Sequence, residues 1–163
     1  MENEQIRRRE FAAVRSGVRI EVLTVIWMVV EAAVSLAAGI AAGSILLTAF
    51  GLDSVIELIS GSVLLWRLSV EARGGAGERV EKVERVATWV VGITLALLCV
   101  YVLVASVYGL AARARPEATP VGIGISLLAV LVMPYLAVTK RRIARAIDSA
   151  ALEGDAAESV TCA

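Results

Sequence analysis

The chain has 163 residues, 58% of them hydrophobic, and a mean hydropathy of +0.78. That is far more apolar than a water-soluble domain and points to a membrane protein. Sixteen basic residues balance sixteen acidic ones, so no basic excess marks a nucleic-acid partner. With no histidine to serve as a base and no nucleophile beside one, nothing marks an enzyme active site and no catalytic residue is assigned. The two cysteines, Cys99 and Cys162, lack a paired spacing, so no disulfide framework is indicated; Cys99 reads as a small apolar residue.

Residues 1 to 19 carry Arg7, Arg8, Arg9, Arg15 and Arg19 and form a basic lead, amphipathic or loose, before the first span. Span one, about residues 20 to 42, is long enough to cross the roughly 30 Å hydrocarbon core and too long for a signal-peptide core. It is interrupted once, by Glu31. Ala42-Gly43-Ser44 leaves room only for a tight hairpin, so span two, about 44 to 68, returns beside span one. Gly39 and Gly43 form a small-xxx-small step that favours close helix packing.

Residues 69 to 85 hold Gly74, Gly75 and Gly77 and then a charged stub, Glu78 to Arg85, and read as a solvent loop. Span three, about 86 to 110, is apolar. Arg113, Arg115, Pro116, Glu117 and Pro120 form the next loop, whose prolines stop one helix and start another. Span four, about 121 to 139, contains Pro134, which predicts a kink. A basic stop, Lys140 to Arg145, follows. Residues 148 to 163 begin a fifth helix, but a span needs about 20 residues, so the expectation is a chain that ends with this helix under way. The predicted fold is therefore an all-α polytopic transmembrane bundle of four spans plus the start of a fifth.

Fourteen basic residues fall on one side of this topology and two, Arg113 and Arg115, on the other, which puts the N-terminus in the cytoplasm. Trp66, Trp89 and Tyr108 lie near span ends and read as anchors at the lipid interface. The alanine, valine, glycine and arginine bias suggests a bacterial plasma membrane.

Asp53 and Glu57 sit inside span two. A carboxylate at the bilayer centre costs roughly 2.5 to 3.5 kcal/mol, so the pair must face something polar. Their four-residue spacing puts both on one helical stripe. Counted from the hairpin, Glu31 and Asp53 lie about 15 to 18 Å from the same membrane edge, with Glu57 one turn deeper. Glu158 and Cys162 repeat the spacing on the fifth helix, with Glu158 about 15 Å past Asp148. Two helices that each bring an i, i+4 pair to one level build a four-ligand site. Acid oxygens with a thiolate suit zinc; an all-oxygen set favours manganese or magnesium. The alternative is a set of acids hydrogen-bonded between helices without a metal. Glu31 is either a fifth ligand or a proton carrier.

Asp53-Ser-Val-Ile-Glu57 and Gly154-Asp155-Ala-Ala-Glu158-Ser-Val-Thr-Cys162 resemble two motifs of the cation diffusion facilitator family. In that family helix two carries Asp or His, three residues, then Asp, and helix five carries His, three residues, then Asp. The Ala-Ala-Gly-Ser hairpin is similar too, and the likeness runs from about residue 17 to the end. It implies a six-helix transmembrane domain, of which most of helix five, helix six and a cytoplasmic C-terminal domain are missing here. It implies Asp53, Glu57, Glu158 and Cys162 as ligands, with Glu158 in the His position and Cys162 in the final Asp position. By the resemblance the protein carries a divalent cation outward, zinc first and manganese, cobalt or iron as alternatives, in exchange for protons. The metal is cargo and no cofactor is expected; a homodimer in membrane lipid is implied. The rival reading is a truncated, non-transporting membrane scaffold of the same fold.

Overall fold

Four helices in the computed structural model are long and apolar enough to cross a bilayer. The structure describes residues 2–74, 77–111 and 119–161, and every regular element within them is helical: α1 Glu2–Ala42, α2 Ile45–Ala72, α3 Glu78–Ala111, α4 Pro120–Ile147 and α5 Ala150–Thr161. Gly75, the 112–118 stretch with Arg113, Arg115, Pro116 and Glu117, and Cys162 lie outside the described residues. The chain is an integral membrane protein of the all-α bundle class. Its outer face explains why: Leu103, Leu110, Leu131, Val107 and Trp89 are all exposed, an apolar surface that water would not tolerate and acyl chains solvate. Trp66 and Tyr108 stand on that outer surface as well.

The basic lead is continuous with the first span, since α1 begins at Glu2. Its buried side runs at steps of three and four residues through Val14, Gly17, Glu21, Thr24, Met28, Glu31, Ser35 and Gly39, with Ala32 beside them. That period is the one that keeps a seam facing a neighbouring helix. The hairpin to α2 turns at Gly43, whose φ of +63° suits glycine, and Ser44 then caps α2 by accepting from the Leu47 amide at 3.4 Å. Gly43 thus serves the turn, and the packing contact comes from two other glycines. A Cβ on Gly39 would lie 2.6 Å from the Thr48 backbone nitrogen, and one on Gly51 would lie 2.9 Å from the Leu36 nitrogen. The first two helices therefore approach almost backbone to backbone.

Around this pair the helices close a ring. α4 packs on α1, α3 packs on α2, and α5 fills the gap between α3 and α4 while also touching α2. Two apolar clusters hold the ring. Leu64, Leu68, Ala87, Ile143, Ala144, Ala151 and Leu152 join α2, α3, α4 and α5. Met28, Ala129, Met133 and Leu136 join α1 to α4. α4 runs on through Pro134 to Ile147 and ends with Asp148 at φ +51°, a left-handed cap that Asp tolerates better than most residues.

The stub from Glu78 to Arg85, read as a charged helical piece of a solvent loop, forms the first two turns of α3; most of it is exposed, while Val83 is buried and Glu84 half-buried. Arg67, at the end of span two and counted with the fourteen basic residues of the cytoplasmic side, is buried and paired with Glu71 at 2.6 Å and with Glu84. Glu84 in turn accepts from Ser149 Oγ at 3.0 Å and from the Ala151 amide at 3.0 Å. An acid at a helix N-terminus meets free amides and the positive end of the dipole, so this carboxylate clamps the start of α5 to α3 and α2.

Two outcomes test this packing by thermal or denaturant unfolding in detergent. Gly51→Ala destabilises by roughly 1 to 3 kcal/mol because Leu36 backbone must move, whereas Gly92→Ala, which meets nothing within 4 Å, is neutral or stabilising by at most about 1 kcal/mol. Glu84→Ala costs roughly 1 to 3 kcal/mol, because it removes one of the two carboxylates paired with the buried Arg67 and uncaps α5.

Candidate functional site

Along α2 the buried positions Ser54, Glu57, Ser60, Gly61, Leu64, Arg67 and Leu68 recur every three or four residues and form one inward stripe. Glu57 is on it and faces the bundle. Asp53, beside the stripe, is half-buried. Neither projects into lipid in the manner of an isolated exposed acid.

The acids fall into two groups about 9 Å apart along α2, the rise between Ser54 and Ser60. The first lies toward the hairpin. Glu31, only 2% exposed, accepts from Ser54 Oγ at 3.2 Å. Asp53 acts electrostatically on both Glu31 and Tyr101. Glu31 Oε2, Ser35 Oγ and the Tyr101 hydroxyl have no hydrogen-bond partner among the described residues. Buried polar atoms left in that state mark a place where something polar beyond these side chains is expected. Glu31 and Asp53 were expected at one level, and they are.

The second group centres on α5. Glu158, 1% exposed, accepts from Thr94 Oγ1 of α3 at 2.7 Å and from Ser60 Oγ of α2. The same Ser60 hydroxyl also reaches Asp155 Oδ1 at 3.4 Å. Asp155 Oδ2 accepts from the Lys140 ammonium, which stands 3.4 Å from Glu21 Oε2 on α1. Lys140 and Glu21 are both wholly buried. Glu57, on the same inward stripe of α2 between Ser54 and Ser60, lies within electrostatic reach of Lys140. Glu158 therefore stands at the level of Ser60, one turn nearer than Glu57 to the end of α2 that Arg67 occupies. Among the described residues no three acids or thiols converge closely enough to hold a metal ion, and Cys162 is not among those residues.

Glu21, Lys140, Asp155, Ser60 and Thr94 were not among the expected site residues. Glu31 was taken as the one acid of span one, whereas Glu21 is a second, two to three turns before it on the same stripe. Lys140 was read as the first residue of a basic stop, and the reason it is not lies in its phase. It continues the apolar stripe Met133, Leu136, Lys140, Ile143, while Arg141, Arg142 and Arg145 point outward. Removing Arg67 and Lys140 from the fourteen loop charges leaves twelve on that side, still a strong imbalance.

Comparison with known proteins adds the family. No solved structure matches the chain. A family model described as the cation efflux transmembrane domain matches residues 22–161, which takes in the second half of α1, all of α2 to α5, the hairpin between α1 and α2, and every acid of the two groups except Glu21. With an acid-lined interior inside a lipid-facing bundle and that match over most of its length, the chain belongs to the cation efflux family, the cation diffusion facilitators, whose members move metal cations across membranes.

Proposed function

We propose that this protein exports a divalent metal ion, zinc in the first place, in exchange for protons. The observation that carries the reading is a charge imbalance inside the bundle. Among the described residues, Glu21, Glu31, Asp53, Glu57, Asp155 and Glu158 share an interior in which the Lys140 ammonium stands between Glu21 and Asp155 and within electrostatic reach of Glu57. Carboxylates in that number do not stay ionised side by side in a hydrocarbon slab. Protons or an added cation neutralise them, and the two exclude one another because they compete for the same oxygens. That competition is the coupling an antiporter needs.

In this reading Asp53 and Glu57 of α2 are direct ligands, Glu158 of α5 a third, and Cys162, four residues on in sequence, the fourth. Glu31 is the fifth ligand or the group that carries the proton. A mixed oxygen and thiolate set suits zinc; manganese, cobalt and iron are the competitors. Ser60 and Thr94 hold the Glu158 carboxylate, and a metal shared with Asp53 and Glu57 would compete with those two hydroxyls for its oxygens. Alternating exposure follows from rocking of helices around the site. The basic imbalance orients the N-terminus toward the cytoplasm of a bacterial cell, and a homodimer is the expected assembly. The absence of a histidine base supports a carrier over an enzyme.

Two variants of the full-length protein test this. Asp53→Asn in everted vesicles lowers metal uptake at least tenfold with unchanged expression, and saturable uptake at the wild-type rate refutes the ligand assignment. Glu158→Gln keeps the Ser60 and Thr94 contacts but removes the charge, so zinc affinity falls at least tenfold by equilibrium dialysis with little change in melting temperature. Undiminished affinity removes α5 from the site.

A further inference from the structure

The buried lysine is not explained by metal transport at Asp53 and Glu57. Its ammonium sits among three oxygens from two helices: Asp155 Oδ2, Glu21 Oε2 at 3.4 Å and Glu21 Oε1 at 3.5 Å. Glu21 Oε2 has no hydrogen-bond partner among the described residues and is fully enclosed, so it meets the ammonium as a charge. Asp155 Oδ1 lies 3.4 Å from Ser60 Oγ, whose one proton it shares with Glu158. The space is shaped by the backbone as well: a Cβ on Gly61 would lie 3.0 Å from Glu21 Oε1, so a glycine on α2 makes room for the carboxylate. Glu57 and Glu158 add their fields from α2 and α5. Oxygens gathered around a compact positive charge, away from water, are what a small cation requires, and a lysine head is a compact, strongly solvated point charge.

We propose that Glu21 and Asp155 form a second cation site in the bundle, filled by the protein's own Lys140 ammonium, and that this tethered charge keeps out a second divalent ion. The proposal rests on reading the acid seam as a cation path. A buried acid pair with no resident cation attracts one, and two acids from α1 and α5 supply hard oxygen ligands. By standing there permanently, the ammonium limits the load to the ion held at Asp53, Glu57 and Glu158.

The test counts zinc bound per chain after equilibrium dialysis of the purified full-length protein, for wild type, Lys140→Gln and Lys140→Gln with Asp155→Asn. Glutamine keeps length and donors at position 140 while removing the charge. The expected result is one more zinc per chain in Lys140→Gln than in wild type, and a return to the wild-type number in the double variant. An unchanged number in Lys140→Gln, or a gain that persists in the double variant, overturns the proposal. If Lys140→Gln is not monodisperse without metal, its melting temperature is followed as zinc is added. A rise of several degrees that the double variant lacks supports the second site, and no rise overturns it. Failure of the transport reading shows separately, as an Asp53→Asn count equal to wild type, and leaves the comparison at position 140 intact.

Discussion

Charge inside hydrocarbon is the constraint on which this structure depends. Each inward carboxylate is tolerable only with a donor or a positive charge against it. The chain meets that need with hydroxyls from neighbouring helices, Ser54 for Glu31 and Ser60 with Thr94 for Glu158, and with one buried lysine between Glu21 and Asp155. A bundle packed for stability alone would place leucine at these positions, as it does at Leu64, Leu68 and Leu136, so these inward carboxylates are where the fold departs from packing for stability.

The rest of the architecture serves to hold these groups in register. Gly39 and Gly51 let α1 and α2 approach until Glu31 meets Ser54. Glu84, by pairing with Arg67 and taking the first amides of α5, fixes where that short helix starts. Its position then decides which oxygens Asp155 and Glu158 offer, three residues apart on one face. Gly154 lets α5 lie close on α3, since a Cβ there would meet Val91 at 2.9 Å. Small residues thus set the distances and charged residues use them, which is the usual division of labour between helices in lipid.

Much of this was legible in the sequence. Hydropathy and length fixed four long helices, the hairpin at Gly43 set the depth at which Glu31 and Asp53 meet, and the family resemblance agreed with the match over residues 22–161. What escaped was charge at helix ends. Glu21, Arg67, Glu84 and Lys140 all sit where a hydropathy reading ends a span and begins a loop, yet all continue the inward stripes of helices that extend beyond the hydrophobic window. Hydropathy reports what lipid accepts; helical phase reports which face a side chain joins, and at a helix end only the second is informative. The phase of Lys140 after Met133 and Leu136, and that of Glu21 before Met28 and Glu31, were signals available in the residues themselves. Partner identity was not: nothing in the spacing tells that Glu158 bonds Thr94 and Ser60, since that depends on how α5 docks.

The central claim is that protons and metal compete for the same interior carboxylates. Isothermal titration of the purified full-length protein with zinc, repeated in buffers of differing ionisation enthalpy, measures this directly. The account predicts that the binding heat varies with the buffer in proportion to at least one proton released per zinc bound. Zinc binding whose heat is the same in every buffer, with no proton released, would contradict it.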